Sequence, residues 1–391
     1  MTAGALIGDG LALGDDLLVA VDRAAASALE PLGGGRPDLA CVFVSGGTPD
    51  EAAAALVRAS DVLGARNVVG CSAHGVIADG QGIEGASGVS VWVASLPSVE
   101  VRAFHLEVLR TSDTIAILGM PERRDEDVVG VILADPWSFP VDGFIEHSHA
   151  TLRGLPLVGG MSSASDNPGE TRLLVDGRIH SRGAVGVVLG GDVAVHTIVS
   201  QGCRPIGTPM TVTKAEGSTI IELAGRSALE RIKDAVADLP AIEQPVVIRG
   251  LQLGVVADEY ADEHLAGDFL VRSIDAADHL VGSIIVGDEV EVGSTVQFLL
   301  RDAAAAHDDL AEVLAAFRRR IGLAPLAGAL LFSADARGRP FFPSPDHDVL
   351  AVQHELGLAS VAGFFAAGEI APLAGRNHVQ GWTATVLAFG T

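Results

Sequence analysis

Short aliphatic runs, each cut off by glycine, aspartate or proline, alternate along this chain with stretches of helical periodicity. That alternation restricts the chain to sheets covered by helices. Strands are expected at 39–45, 67–71, 89–94, 99–108, 128–134, 171–175, 185–189 and 193–200, and helices at 15–29, 49–63 and 141–152. The second half keeps the same grammar. Strands are expected at 219–223, 269–274, 280–286, 295–300, 328–332 and 379–389, and helices at 227–238, 302–320 and 346–356. Asp15 can cap the first helix, and Thr48 the second, with Pro49 at its first position and Glu51 closing a capping box. The expected class is α/β (α+β): two intimately packed modules of mixed, largely antiparallel sheets covered by helices, with a layered αββα sandwich as one form.

A chain of 391 residues fits about two domains. The boundary is placed near Ser200, giving modules 1–200, with its core from about 37, and 201–391. Apolar residues make up 48% of the chain but aromatics only 4%, so Val, Leu, Ile and Ala must build the core. The net charge of −24 repels phosphate backbones and anionic lipid, so neither nucleic acid nor membrane is an expected partner. The first residues lack a basic and apolar leader, and Cys41, Cys71 and Cys203 form neither a zinc box nor a disulfide framework. A reducing cytoplasm is the expected location.

Several motifs imitate active sites. Gly80-Gln81-Gly82-Ile83-Glu84-Gly85 has the dinucleotide spacing G-x-G-x-x-G, but it leads into a strand rather than a helix and reads as a glycine-rich loop. Gly70-Cys71-Ser72-Ala73-His74-Gly75 approaches a nucleophile elbow, with His74 where glycine is required. A Cys71 or Ser72 nucleophile with His74 is one reading; a strand end turning through small residues is the other. His147 and His149 fall about 200° apart on a helix and cannot chelate together. Asp346 reads as a helix start whose carboxylate meets free N–H groups. The loop Gln201-Gly202-Cys203-Arg204-Pro205-Ile206-Gly207 presents one guanidinium between residues that fix the backbone, suiting either a carboxylate clamp or a loop-internal arginine. Glu369, after Gly368 and a buried strand, can receive a cation or pair with arginine.

The pieces at 201–207, 211–217 (TVTKAEG), 223–228 (LAGRSA), 298–303 (FLLRDA) and 363–372 (GFFAAGEIAP) resemble the FIST family, as does 328–332 with Arg337-Gly338. In the first half, VGCSAHG at 69–75 and VGGM at 158–161 look like the matching N-terminal motifs. The resemblance spans about 37–389. It implies N-terminal and C-terminal FIST modules that sense small ligands, amino acids among them, and no catalytic role. No output domain is visible, so the signal is expected to pass to a separate signalling protein. The binding candidates are Arg204 for a carboxylate and Glu369 for a cation, with Cys203, Gly207, Gly368, Asn377, Arg301, Arg337, Ser72, His74 and Gly160 around them. No metal or cofactor is expected. One alternative is a haem-binding gas sensor using His74, His147 or His149; another is a hydrolase or transferase built on Cys71, Ser72 or Cys203.

Overall fold

The computed structural model describes residues 4–391 apart from 113, 242–243, 245–246, 248–249, 258–268 and 340. The chain opens with β1 (Leu6–Leu13), α1 (Leu17–Leu29), β2 (Leu39–Ser45), α2 (Pro49–Leu63), β3 (Asn67–Ala73), β4 (Gly75–Ala78), β5 (Gln81–Glu84) and β6 (Gly88–Ser95). Next come β7 (Val99–Arg110), β8 (Ile115–Leu118), β9 (Asp127–Ala134), α3 (Val141–Thr151), β10 (Leu157–Met161), β11 (Leu173–Val175), β12 (Arg178–His180), β13 (Ala184–Gly191) and β14 (Val195–Ser200). A middle stretch holds β15 (Arg204–Glu216), β16 (Thr219–Leu223), β17 (Arg226–Ser227), α4 (Ala228–Ala237), β18 (Leu251–Val256), β19 (Phe269–Asp278), β20 (Ser283–Val286), β21 (Thr295–Leu300) and α5 (Ala303–Ile321). The last stretch holds β22 (Leu326–Ala334), α6 (His347–Leu356), β23 (Val361–Ala366), β24 (Gly368–Leu373), β25 (Arg376–Gln380) and β26 (Ala384–Gly390).

Contacts divide the chain into two units: 1–199 with 311–391, and 200–310. The border expected near Ser200 is one edge of the second unit. The C-terminal 81 residues share sheets with the N-terminal part.

The first unit is one motif used three times. In each, a strand, a helix and a second strand form a parallel pair, and a later strand returns antiparallel to the first. The pairs are β2–β3, β9–β10 and β22–β23, and the returning strands are β6, β13 and β26. The three sheet orders follow: β1-β6-β2-β3-β11-β12, β8-β7-β13-β9-β10-β24-β25 and β14-β26-β22-β23-β4-β5. Each repeat lends its hairpin to another repeat's sheet. β4–β5 joins the third, β11–β12 the first and β24–β25 the second, which closes a ring of exchanges. The second unit is inserted into the third repeat, between β14 and β22.

One glycine position recurs for a steric reason. Gly70, Gly159 and Gly363 sit at the same register in the second strand of each pair, opposite Val42, Ile132 and Leu331. A Cβ there would lie 2.2, 1.9 and 1.7 Å from the carbonyl oxygens of those three residues. Only glycine permits that approach.

Alternation along the strands sends one face inward. Phe43, Cys71 and Trp92 of the first sheet, Val131, Leu133 and Val187 of the second, and Phe332, Phe364 and Phe389 of the third share one core. Phe43 meets Phe364 at 4.9 Å, and Trp92 meets Phe389 at 5.0 Å between ring centroids. The outward faces are covered by helices: α1 and α2 through Ala24, Ala28, Ala55 and Leu56, and α3 through Val141 and Ile145. The fold class is mixed α+β, with three sheets about this core.

The second unit has one sheet, ordered β15-β21-β18-β19-β20-β16-β17, with α4 packed on it through Ala228 and Ala235.

Local expectations met physical tests. The Thr48 capping box forms as read. Asp16, not Asp15, caps α1 by accepting from Leu18 and Val19. The glycine-rich segment 80–85 lies in the β4–β5 hairpin, turning through Asp79 and Gly80 at φ 50° and 69°. The run 379–389 is two strands, because Trp382 turns left-handed at φ 67°. Asp346 precedes α6 but makes no side-chain cap; its carboxylate accepts from Gly82 N at 2.8 Å and from Ser344 Oγ.

Candidate functional site

The chain crosses from each parallel pair into its lent hairpin through His74 in the first repeat, 162–172 in the second and Ala367 in the third. Hydrogen bonds stitch these crossings to one another. Ser162 Oγ donates to Ser72 O at 2.6 Å, and His74 N to Ser163 Oγ at 2.9 Å. Ser163 Oγ donates to Phe365 O, and Ala367 N to Met161 O at 3.0 Å. Strand ends of this kind are where α/β folds place ligands, because backbone groups and loop side chains converge there.

Of the residues singled out in the sequence, Ser72, His74, Gly160, Gly368, Glu369 and Arg337 come to this region. Gly160 faces Glu369 in the β10–β24 register, and a Cβ on Gly160 would lie 2.8 Å from Ala366 Cβ. A Cβ on Gly368 would lie 2.3 Å from Met161 Cε. The two glycines let strands from different repeats close on one another.

Glu369 is fully buried on β24. Its Oε2 accepts from Thr383 N at 2.9 Å and Thr383 Oγ1 at 2.8 Å. Its Oε1 has no hydrogen-bond partner among the described residues. Burial pushes the carboxyl up to about 8; the Thr383 bonds and Arg337 oppose this, and Asp335 adds to it. With its pKa near 8, Glu369 is held mainly in the neutral form at pH 7 while no cation lies beside it. Gln380 lies opposite it across β24–β25, and Gln380 Nε2 also lacks a partner among the described residues. Unmet buried polar atoms are costly and call for a reason.

Arg337 has a different task. Its guanidinium forks onto Asp348 at 2.8 Å through both Nε and Nη2, and both side chains are buried. Ser333 Oγ and His347 Nδ1 also bond Asp348, at 2.6 and 2.8 Å. Burial alone would raise Asp348, but Arg337, His347 and Ser333 together hold it well below the ordinary carboxylate range. Arg337 thus braces α6 to β22. Asn377 is a second brace: its amide bonds Ser148 Oγ, Leu155 O and Leu157 N.

His74 lines an open cleft of about 530 Å³ with Asp15, Gly46 and Ser87. Asp335 couples that cleft to the buried acid. Its carboxyl is raised by desolvation, with His74 opposing, and its charge in turn acts on Glu369. Ser72 Oγ is occupied by Arg172, accepting from its N at 2.9 Å. Cys71 is fully buried, and burial pushes its thiol well above the ordinary range, which removes the thiolate a nucleophile needs.

The remaining candidates belong to the second unit. Arg204 opens β15, its Nε 3.5 Å from Asp302, and is partly exposed. Arg301 is buried. Cys203 packs with Val256, Phe269 and Leu299. Gly207 sits at φ 65° on a bulge, and its carbonyl accepts from Gln297 Nε2 at 2.9 Å.

Sequence reasoning missed Asp348, Thr383, Ser162 and Ser163. Asp348 stands two residues after Asp346, but its partner Arg337 lies on the far side of a loop. Thr383 carried no local signal.

Family models match the chain at 38–226, as the FIST N domain, and at 226–372, as the FIST C domain. The chain belongs to the FIST family. FIST domains are sensory domains of signal transduction. The chain is 42% identical over 384 residues to the uncharacterized protein Rv0628c of Mycobacterium tuberculosis, covering 98% of this chain and 99% of that one. It is 40% identical, at 98% of each, to the uncharacterized protein Mb0898c of Mycobacterium bovis. The family boundary at 226 falls inside the second unit, so FIST modules and compact units divide this chain differently. No helix among the described residues is long and apolar enough to cross a membrane.

Proposed function

We propose that this FIST protein senses a small metabolite at the joined strand ends of its first unit, and that Glu369 reads the ligand. The observation that carries this is Glu369 Oε1, fully buried and without a partner among the described residues; burial pushes the carboxyl up to about 8, which favours the neutral form. A neutral carboxyl can donate to a ligand oxygen. If the ligand brings an ammonium group, as an amino acid does, Glu369 ionises and a proton leaves. The signal would then pass to a separate protein, with no chemistry done on the ligand. A thermal-shift screen of the twenty amino acids and small dicarboxylic acids tests this. A ligand at a hundred times its Kd should add about 2.7 kcal/mol. Glu369→Gln should abolish proton release measured by calorimetry in two buffers. No shift with any of these probes, or a shift untouched by Glu369→Gln and Glu369→Ala, contradicts the assignment.

A second reading has its own observation. His147 lines an apolar cleft of about 700 Å³ with Ile117, Met120 and Phe144, and Arg123 and Arg153 lie at its edge. His147 Nδ1 donates to Gly143 O at 2.8 Å, so Nε2 carries the free lone pair. Those groups suit a haem, with the arginines toward its propionates; haem would supply an iron that binds diatomic gases. Reconstitution should give a Soret band that His147→Ala loses. A band unaffected by that change removes His147 from this role.

A further inference from the structure

The threefold repetition provides an internal control for side chains that the frame does not require. Ser87, Arg182 and Trp382 occupy one equivalent position, each four residues before the residue that pairs with Val42, Ile132 or Leu331. In the first repeat this position borders the 530 Å³ cleft, whose lining contains no arginine. In the second repeat it borders a cleft of about 690 Å³ that gathers His105 and Arg110 from β7, Trp137 from the β9–α3 loop, and His180 and Arg182 from the end of the β11–β12 hairpin. The same backbone frame closes with serine in one repeat and arginine in another.

The chemistry of this second cleft is specific. Neither Arg110 nor Arg182 meets a carboxylate within 4.0 Å among the described residues, although most neighbouring arginines do. Among the described residues Arg110 reaches only Ser138 O, at 3.4 Å. His105 and His180 stack at 3.6 Å, and His105 Nε2 donates to Arg182 O at 3.3 Å, which leaves its Nδ1 as an acceptor. Trp137 is 48% exposed, yet its indole N–H is already given to Ser165 O. What the tryptophan offers a ligand is therefore its ring face. Glu107 is the one carboxylate among the described lining residues. In a chain of net charge −24, two uncompensated arginines in one concavity are a local reversal of sign.

We infer that this cleft binds a small phosphate monoester that carries a planar ring, the chemistry of a mononucleotide. Arg110 and Arg182 would take the phosphate, and Trp137 would stack on the ring. This site is separate from the strand-end centre at Glu369 and does not depend on the function proposed there. The test is isothermal titration of the full chain with adenosine monophosphate, adenosine and inorganic phosphate. The monophosphate should bind, and bind at least about tenfold more tightly than either fragment. Arg182→Ala and Arg110→Ala should each weaken it about tenfold. Trp137→Ala should weaken it about fivefold. Arg58→Ala, a surface arginine paired with Asp22 elsewhere, should leave it unchanged. Equal melting temperatures for Arg182→Ala and the native chain would show that folding is intact. No binding of the monophosphate at millimolar concentration overturns the inference. So does binding indifferent to Arg110 and Arg182, or adenosine or phosphate alone binding as well as the whole nucleotide.

Discussion

Asp348 and Glu369 are both buried carboxyls of the third repeat, and they lie in opposite charge states. Asp348 receives Arg337, Ser333 and His347 and stays ionised. Among the described residues Glu369 receives only Thr383, on one oxygen, and burial pushes it up to about 8. Burial is common to both, so the difference lies in the partners supplied. A buried charge met on all sides fixes structure, whereas a buried carboxyl met on one oxygen only is driven to its neutral form. Arg337 stands near both, yet its fork is committed to Asp348. The region behind β22 is frame; the floor at β24 is where the proposed site would lie.

The largest test removes the frame itself. A chain ending at Ser200 lacks β22–β26, so the second sheet loses β24, β4 loses its partner β23, and the core loses Phe332, Phe364 and Phe389. It should give no dispersed amide spectrum and no cooperative melting transition. A folded fragment with a sharp transition would show that the hairpin exchanges are not required.

Breaking the brace should cost less but still much. Asp348→Ala takes the buried carboxylate away from the buried Arg337 guanidinium, and should lower stability in urea unfolding by about 3–5 kcal/mol. The brace also sets an acid limit. Because the folded carboxyl titrates below its unfolded value, its stabilisation is present above about pH 4 and is lost only as pH falls through the much lower folded value. A loss under 1 kcal/mol for Asp348→Ala would erase the contrast with Glu369.

Glu369→Gln keeps the shape and the neutral state. Here the sign is reversed. The folded carboxyl, at about 8, lies above its unfolded value of 4.5, so the native chain loses stability as pH rises between those values. Relative to Glu369→Gln, the native stability should fall by about 1.4 kcal/mol per pH unit across that window and level off above it. Parallel curves for the two proteins would place Glu369 in the ionised state.

Much of the frame was legible in the sequence where local physics dominates. Strands at 39–45, 219–223 and 295–300 fall where aliphatic runs placed them, and Thr48 caps as its box requires. Legibility failed where a distant neighbour decides. β1 was not read as a strand because Gly8 and Gly10 break its pattern. Those glycines admit the carbonyls of Ala28 and Ala24, which a Cβ would meet at 2.1 and 2.2 Å. The threefold repetition left almost no trace beyond Gly70, Gly159 and Gly363. Glu369 was flagged because it stands alone after an apolar strand, but its protonation depends on burial and on Thr383. Arg337 and Asn377 looked like ligand groups, and the partners that bond them, Asp348, Ser148 and Leu155, are brought to them only by the fold.

The charge state of Glu369 decides between site and frame most directly. The side-chain carboxyl carbons can be followed by ¹³C NMR from pH 5 to 10, with Glu369→Gln assigning the resonance. The account predicts one glutamate that stays protonated through pH 7 and titrates near 8. Its midpoint should move downward when an amino-acid ligand binds. A Glu369 carboxyl already ionised at pH 6 would contradict the account.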